Sequence, residues 1–290
     1  MVRVKIVEIT YRYGGTDVTP RTRPQNAEAA RERLDRGSRA ISALLDVSAR
    51  DGETTRQIIP VDPRDLGLGS EATGAPEQRP YAAVLGCSDA RVPIELIFNE
   101  GPNDLFVVRV AGNGLGGEVL GSLSYAVDHL GGSLKLVVVL GHSGCGAVSA
   151  AVDVVLNPRT YLAFAEKHTL RSILDRLLVV VHAAMNRMET VHGPDVTQRR
   201  GYREALIEVA VVANAALAAY TIQQELGAQQ DLRAAYGVYV LSTRQIWAPR
   251  HGSAECAGLA YPPPDLDAFS AFAEAVVQSD RISSLLGRAE

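Results

Sequence analysis

Residues 81–91 read YAAVLGCSDAR and residues 135–145 read KLVVVLGHSGC. Each is a short, almost unbroken apolar run that ends in a polar loop carrying a cysteine. Runs of this kind are the mark of strands buried on both faces of a parallel sheet. DLFVVRVA at 104–111 and YGVYVL at 236–241 supply two more. Between them lie segments with helical patterning, at Gly117–Leu130, 160–190 and 200–226. Upstream, Asn26 can cap a helix in which Ala30, Leu34, Ile41, Leu44 and Leu45 recur at near-helical intervals. The pattern predicts an α/β fold: a central, mainly parallel β-sheet flanked by α-helices, with an N-terminal helical arm and a C-terminal helical extension.

Working outward, residues 1–24 are rich in Arg, Thr, Gly and Pro and read as an irregular N-terminal arm. Residues 50–77, with Pro60, Pro63 and Pro76, read as an insert or loop within a central unit spanning 25–247. The extension from 248 to 290 holds Pro262, Pro263 and Pro264, then an amphipathic stretch from Leu266 to Leu286.

Composition narrows the function classes. The 290 residues carry 29 basic and 33 acidic side chains, a formal charge of −4, so no field draws the chain to nucleic acid or an anionic membrane. Hydrophobic residues at 47% and charged residues at 21% argue against disorder. No apolar run is expected to reach the roughly 20 residues of a membrane helix. The opening MVRVKIVEITYRYGG lacks a secretory h-region, so the expected location is cytoplasmic. Three cysteines are too few for a disulfide scaffold.

In open parallel sheets, chemistry gathers beyond the carboxyl ends of the strands. Cys87, His142 and Cys145 all lie there. Two thiolates and an imidazole can supply three zinc ligands, leaving a fourth position for water, the arrangement of a catalytic rather than a structural site. Zinc there can lower the pKa of water to about 7. Asp89 and Arg91, two residues apart, project to the same side of an extended backbone. An arginine clamped on Asp89 would keep the carboxylate ionised and oriented.

Other motifs weigh less. Residues 112–117 (GNGLGG) fit G-x-G-x-x-G but lack the acidic residue a dinucleotide site needs after the next strand. A Cys–His nucleophile pair would leave the second cysteine unexplained. His129, His168, His182, His192 and His251 have no ligand spacing, and Cys256 reads as inert.

These residues, in this order, resemble the β-class carbonic anhydrase family. The likeness rests on C-x-D-x-R at 87–91 and H-x-x-C at 142–145, and extends through RVPIELIFNEGPNDLFVVRVAGN (91–113) and GSLSYAVDHLGG (121–132). It covers roughly 25–48 and 78–243. The resemblance implies one Zn²⁺ per chain held by Cys87, His142 and Cys145, with Asp89 and Arg91 as a catalytic dyad. It implies that Gln78, Phe106 and Tyr125 line a substrate pocket across a subunit interface, in a homodimer or higher homo-oligomer. The implied reaction, on a small-molecule substrate, is reversible hydration of carbon dioxide. Family members that act on carbon disulfide or carbonyl sulfide share the ligand motifs, and a non-catalytic zinc-containing binding or regulatory protein is the alternative from another class. Two departures stand out: Val108 precedes Arg109 where the family usually has asparagine beside it, and Val84 replaces a tryptophan of the bicarbonate-inhibited subset.

Overall fold

The structure is a computed structural model and describes residues 6–14, 21–46, 54–68, 74–159, 161, 168–227, 232–249 and 256–287. Two segments expected to be irregular contain strands instead. β1 (Ile6–Tyr13) pairs in parallel with β2 (Thr54–Val61), from Ile6 opposite Thr54 to Tyr13 opposite Val61. Both are rich in β-branched and aromatic residues, which fit a pleated surface. Arg and Glu between them broke the apolar pattern, and Pro60 is tolerated because each strand of a two-stranded sheet is an edge.

The main sheet has the order β4–β3–β5–β6–β7–β8, comprising β3 (Ala82–Gly86), β4 (Leu105–Arg109), β5 (Leu136–His142), β6 (Arg233–Val240), β7 (Gln245–Ala248) and β8 (Cys256–Ala257). The first four in that order are parallel, and β7 and β8 continue antiparallel. Every residue of β3 and β5 is buried. Their alternate side chains feed two cores, as the twofold periodicity of a strand requires. Ala82, Val84, Leu136, Val138 and Leu140 meet α1 (Ala27–Leu44) and α2 (Ile94–Ile97). Ala83, Leu85, Val137 and Val139 meet the opposite layer: α3 (Gly117–Leu130), α4 (Gly146–Leu156), α5 (His168–His192), α6 (Tyr202–Leu226), α7 (Leu266–Gln278) and α8 (Asp280–Leu286). The fold is therefore a mainly parallel sheet between helical layers, with a helix before it and two after it.

Asn26 caps α1 by accepting from Ala29 N at 2.8 Å, and Ala30, Leu34 and Ile41 form the buried stripe. α1 is also fixed by charge. Arg33 pairs with the buried Glu100 and with Asp104 (3.1 Å), and its guanidinium lies 4.4 Å from the Tyr81 ring centroid. Helix α6 corrects one expectation. An 18-residue window within it has mean hydropathy 1.8, apolar enough to cross a membrane, yet 72% of that window is buried inside the fold. It is the core helix of the second layer. His251 and the Cys256 side chain lie outside the described residues.

Candidate metal centre

Cys87 follows β3 directly, His142 ends β5, and Cys145 stands at the N-terminus of α4. Because β3 and β5 are hydrogen-bonded neighbours in parallel register, with Gly86 opposite Leu140, their loops emerge side by side at the same edge. The turn from His142 to Cys145 needs a left-handed residue, and Gly144 provides it at φ +60°. The ligand atoms of Cys87, His142 and Cys145 all lie within 4.8 Å of one another, and all three residues are buried. The two sulfurs are 4.0 Å apart.

The imidazole of His142 is wholly buried. Its Nδ1 lies 3.1 Å from the carbonyl of Ser143, which fixes that nitrogen as the donor. Among the described residues its Nε2 has no hydrogen-bond partner. A buried bare nitrogen beside two sulfurs is a costly arrangement unless something accepts its lone pair. Two thiolates and one imidazole are a zinc donor set, so these residues fit that ion. The contact between the sulfurs draws the Cys87 thiol down, with burial opposing, while the same contact and burial push Cys145 up.

Asp89 and Arg91 form the expected pair. Arg91 donates from Nε to Asp89 Oδ1 at 3.0 Å and from Nη2 to Oδ2 at 2.7 Å, and its backbone N–H adds a third bond to Oδ1 at 2.8 Å. This arginine holds the carboxylate well below its usual range, against the small opposing effect of burial. Asp89 Oδ2 lies 3.8 Å from His142 Nε2, so the carboxylate edges the cysteine–histidine cluster.

The remaining three candidates are placed elsewhere. Phe106 pairs with Ala83 in the sheet, about 13 Å along β3 from Cys87 at the usual strand rise. Tyr125 is 50% exposed on α3 and stacks on His129 at 4.4 Å. Gln78 is exposed in the segment before β3.

Several supporting residues were not singled out for this role from the sequence. Arg109 donates to the carbonyls of Cys87 (3.0 Å) and Asp89 (2.6 Å), bracing the loop that carries both. The Gly112 N–H points at the Cys87 sulfur at 3.4 Å, and Asn214 of α6 holds the Gly112 carbonyl at 3.0 Å. Glu208, also on α6, accepts from the Gly144 N–H at 2.8 Å. The available signal was a lone carboxylate and a lone amide within the apolar run LIEVAVVANAAL at 206–217, since such groups are buried only with partners.

The sheet and cluster together define an α/β protein with a cysteine–histidine–cysteine centre at the carboxyl edge of its parallel strands. A profile described as carbonic anhydrase matches residues 82–246, more than half of the chain. The chain belongs to the carbonic anhydrase family, in its β class. It is 50% identical over 78 residues to carbonic anhydrase 2 of Mycobacterium tuberculosis, covering 27% of this chain and 37% of that protein. It is 47% identical over 87 residues to a carbonic anhydrase of Mycolicibacterium smegmatis, covering 30% and 41%. The aligned stretch thus spans less than half of either relative. Among solved structures, the β-carbonic anhydrase CcaA is 26% identical, with a TM-score of 0.45 and coverage of 59% of this chain and 80% of that one.

Proposed function

We propose that the protein is a zinc-dependent carbonic anhydrase that catalyses CO₂ + H₂O ⇌ HCO₃⁻ + H⁺. The observation that carries this reading is the convergence of Cys87, His142 and Cys145 within 4.8 Å, with a bare buried Nε2, beside an arginine-clamped carboxylate. Zinc, when bound there, supplies Lewis acidity that brings the pKa of water to about 7.

The chain's own residues do the rest. Cys87, His142 and Cys145 hold the ion, and the Nδ1 bond of His142 to the Ser143 carbonyl presents the correct nitrogen. Arg91 takes up Oδ1 of Asp89 twice and Oδ2 once, so the carboxylate stays ionised with a lone pair of Oδ2 toward the cluster. That lone pair accepts a hydrogen bond from the reacting water and aims its oxygen at the carbon of carbon dioxide, while the proton released goes to buffer. Gln78, Phe106 and Tyr125 act on the centre of a partner subunit in a homodimer, which accords with the exposure of Gln78 and Tyr125 and with the distance of Phe106 along the strand. Stopped-flow hydration on metal-quantified protein across pH tests the proposal. Activity should rise with pH and scale with zinc content, and a fully zinc-loaded protein no faster than buffer sinks it.

A further inference from the structure

The turn that carries two of the three ligand positions is held from outside the sheet by a relay that begins in the C-terminal extension. Ser143 is tied to β6 and the residue beyond it: its N–H donates to the Tyr239 carbonyl at 3.0 Å, and its hydroxyl accepts from Leu241 N at 3.0 Å. Gly144, the residue with the left-handed backbone, hangs on Glu208 Oε1. Glu208 is only 7% exposed, and a carboxylate at that depth needs a cation. Arg281 of α8 supplies it, donating from Nε at 3.1 Å and also from Nη2, both to Oε2. This division leaves Oε1 for Gly144. The guanidinium lies 5.8 Å from the Trp247 ring centroid, and the helix that carries it is capped by Ser279 and buries Ile282 and Leu286. The seat is tight, because a Cβ at Gly201 before α6 would collide with the Leu285 carbonyl. Arg91, Gly144, Glu208 and Arg281 line one cavity of about 480 Å³.

We propose that Glu208 is a positioning residue for the His142–Cys145 turn and that Arg281, carried by the C-terminal helix α8, sets it. The extension is thereby part of the machinery of the metal centre. Removing Arg281 leaves Glu208 buried without its cation, so the carboxylate turns away or takes up water, and Gly144 loses its acceptor. His142 and Cys145 then hold their ion in a looser frame. Outer partners of metal ligands typically contribute about 10–100-fold to metal affinity or activity. This inference rests on the proposed zinc centre, but one of its readouts does not.

The experiment compares Arg281→Ala, Arg281→Lys, Glu208→Gln and the control Arg187→Ala. The control breaks a different contact of the extension, that of Arg187 with Ser270 on α7. Amide exchange at Gly144 is read by mass spectrometry with and without zinc, and zinc release is followed with a chromogenic chelator. Arg281→Ala should speed exchange at Gly144 about tenfold and zinc release by about tenfold. Arg281→Lys should recover most of both, Glu208→Gln should fall between, and Arg187→Ala should leave both as in the wild type. Unchanged exchange in Arg281→Ala overturns the proposal. So does an equal change in Arg187→Ala, which would make the effect one of general docking. A wild-type protein that binds zinc yet does not hydrate carbon dioxide removes the proposed activity while the exchange data still decide the relay.

Discussion

Two pairs of parallel strands in this molecule invite comparison. β3 and β5 lie inside a six-stranded sheet, are buried at every position, and read as apolar runs. β1 and β2 form a sheet of their own in which exposed and half-buried residues alternate for most of their length. The backbone pairing is the same and the surroundings differ. Two strands alone are marginal in water, so the second pair must borrow its stability. It does so through Ile59, fully buried, and Val61, 7% exposed. The central pair makes its own core and can therefore carry a strict geometry at its edge.

The sharpest way to break this comparison is at the centre. Cys87→Ser, His142→Ala and Cys145→Ser should each lose zinc and lower hydration by at least about three orders of magnitude, since water of pKa about 7 would revert toward 15.7. Metal analysis and stopped-flow rates check this, and full zinc occupancy in all three variants would end the ligand assignment. Arg91→Ala should have the next largest effect. It frees Asp89, which either loses its aim or takes the open metal position, so activity falls about 10–100-fold while zinc stays bound. Zinc-edge spectroscopy should then show a carboxylate oxygen beside the two sulfurs and the nitrogen. Wild-type rates in a fully zinc-loaded Arg91→Ala protein would refute the dyad.

The outer pair predicts the opposite behaviour. Ile59→Ala removes a buried side chain from a sheet separate from the one that carries the ligands and should cost about 2–4 kcal/mol in urea unfolding. Hydration at 25 °C should be unchanged for the protein that remains folded. A loss of rate without a loss of stability would show that the β1–β2 unit reaches the metal centre, and the contrast between the two pairs would fail.

The same contrast explains what could be read in the sequence. Cys87 and the pair His142–Cys145 were legible because each follows an apolar run at once, and parallel strands deliver their carboxyl ends to one edge. Asp89 and Arg91 were legible because their partnership is local. β1 and β2 were not, since pairing across 48 positions leaves no local trace and charged residues interrupt both strands. Glu208 and Arg281 were missed for a related reason. Their contact joins residues 73 apart, one in the core helix and one in a terminal helix, and only the packing of α8 on the α6 N-terminus brings them together. The helix that hides Glu208 was also the one whose apolar length went unrecognised.

The smallest effect expected lies where the C-terminal segment is pinned to α1. Glu28, in the first turn of α1, accepts from Arg31 Nε at 3.3 Å and from the Tyr261 hydroxyl at 2.8 Å. Arg31 first, and Tyr261 after it, draw the Glu28 carboxyl down from 4.5 to about 2, with slight burial opposing. A carboxylate that binds its proton less readily folded than unfolded stabilises the fold only while it is ionised. The contribution is therefore complete above the unfolded value and is lost as pH falls from about 4.5 toward 2. Glu28 is half exposed, so solvent screens the pair and the effect is small. Glu28→Gln should lower Tm at pH 7 by about 1–3 °C, and the gap from wild type should narrow steadily between pH 5 and pH 3. A gap of constant size over that interval would mean that Glu28 acts through packing and not through charge. The hydration rate should stay at the wild-type level throughout, because this pin, unlike Arg281, touches the side of the sheet opposite α6.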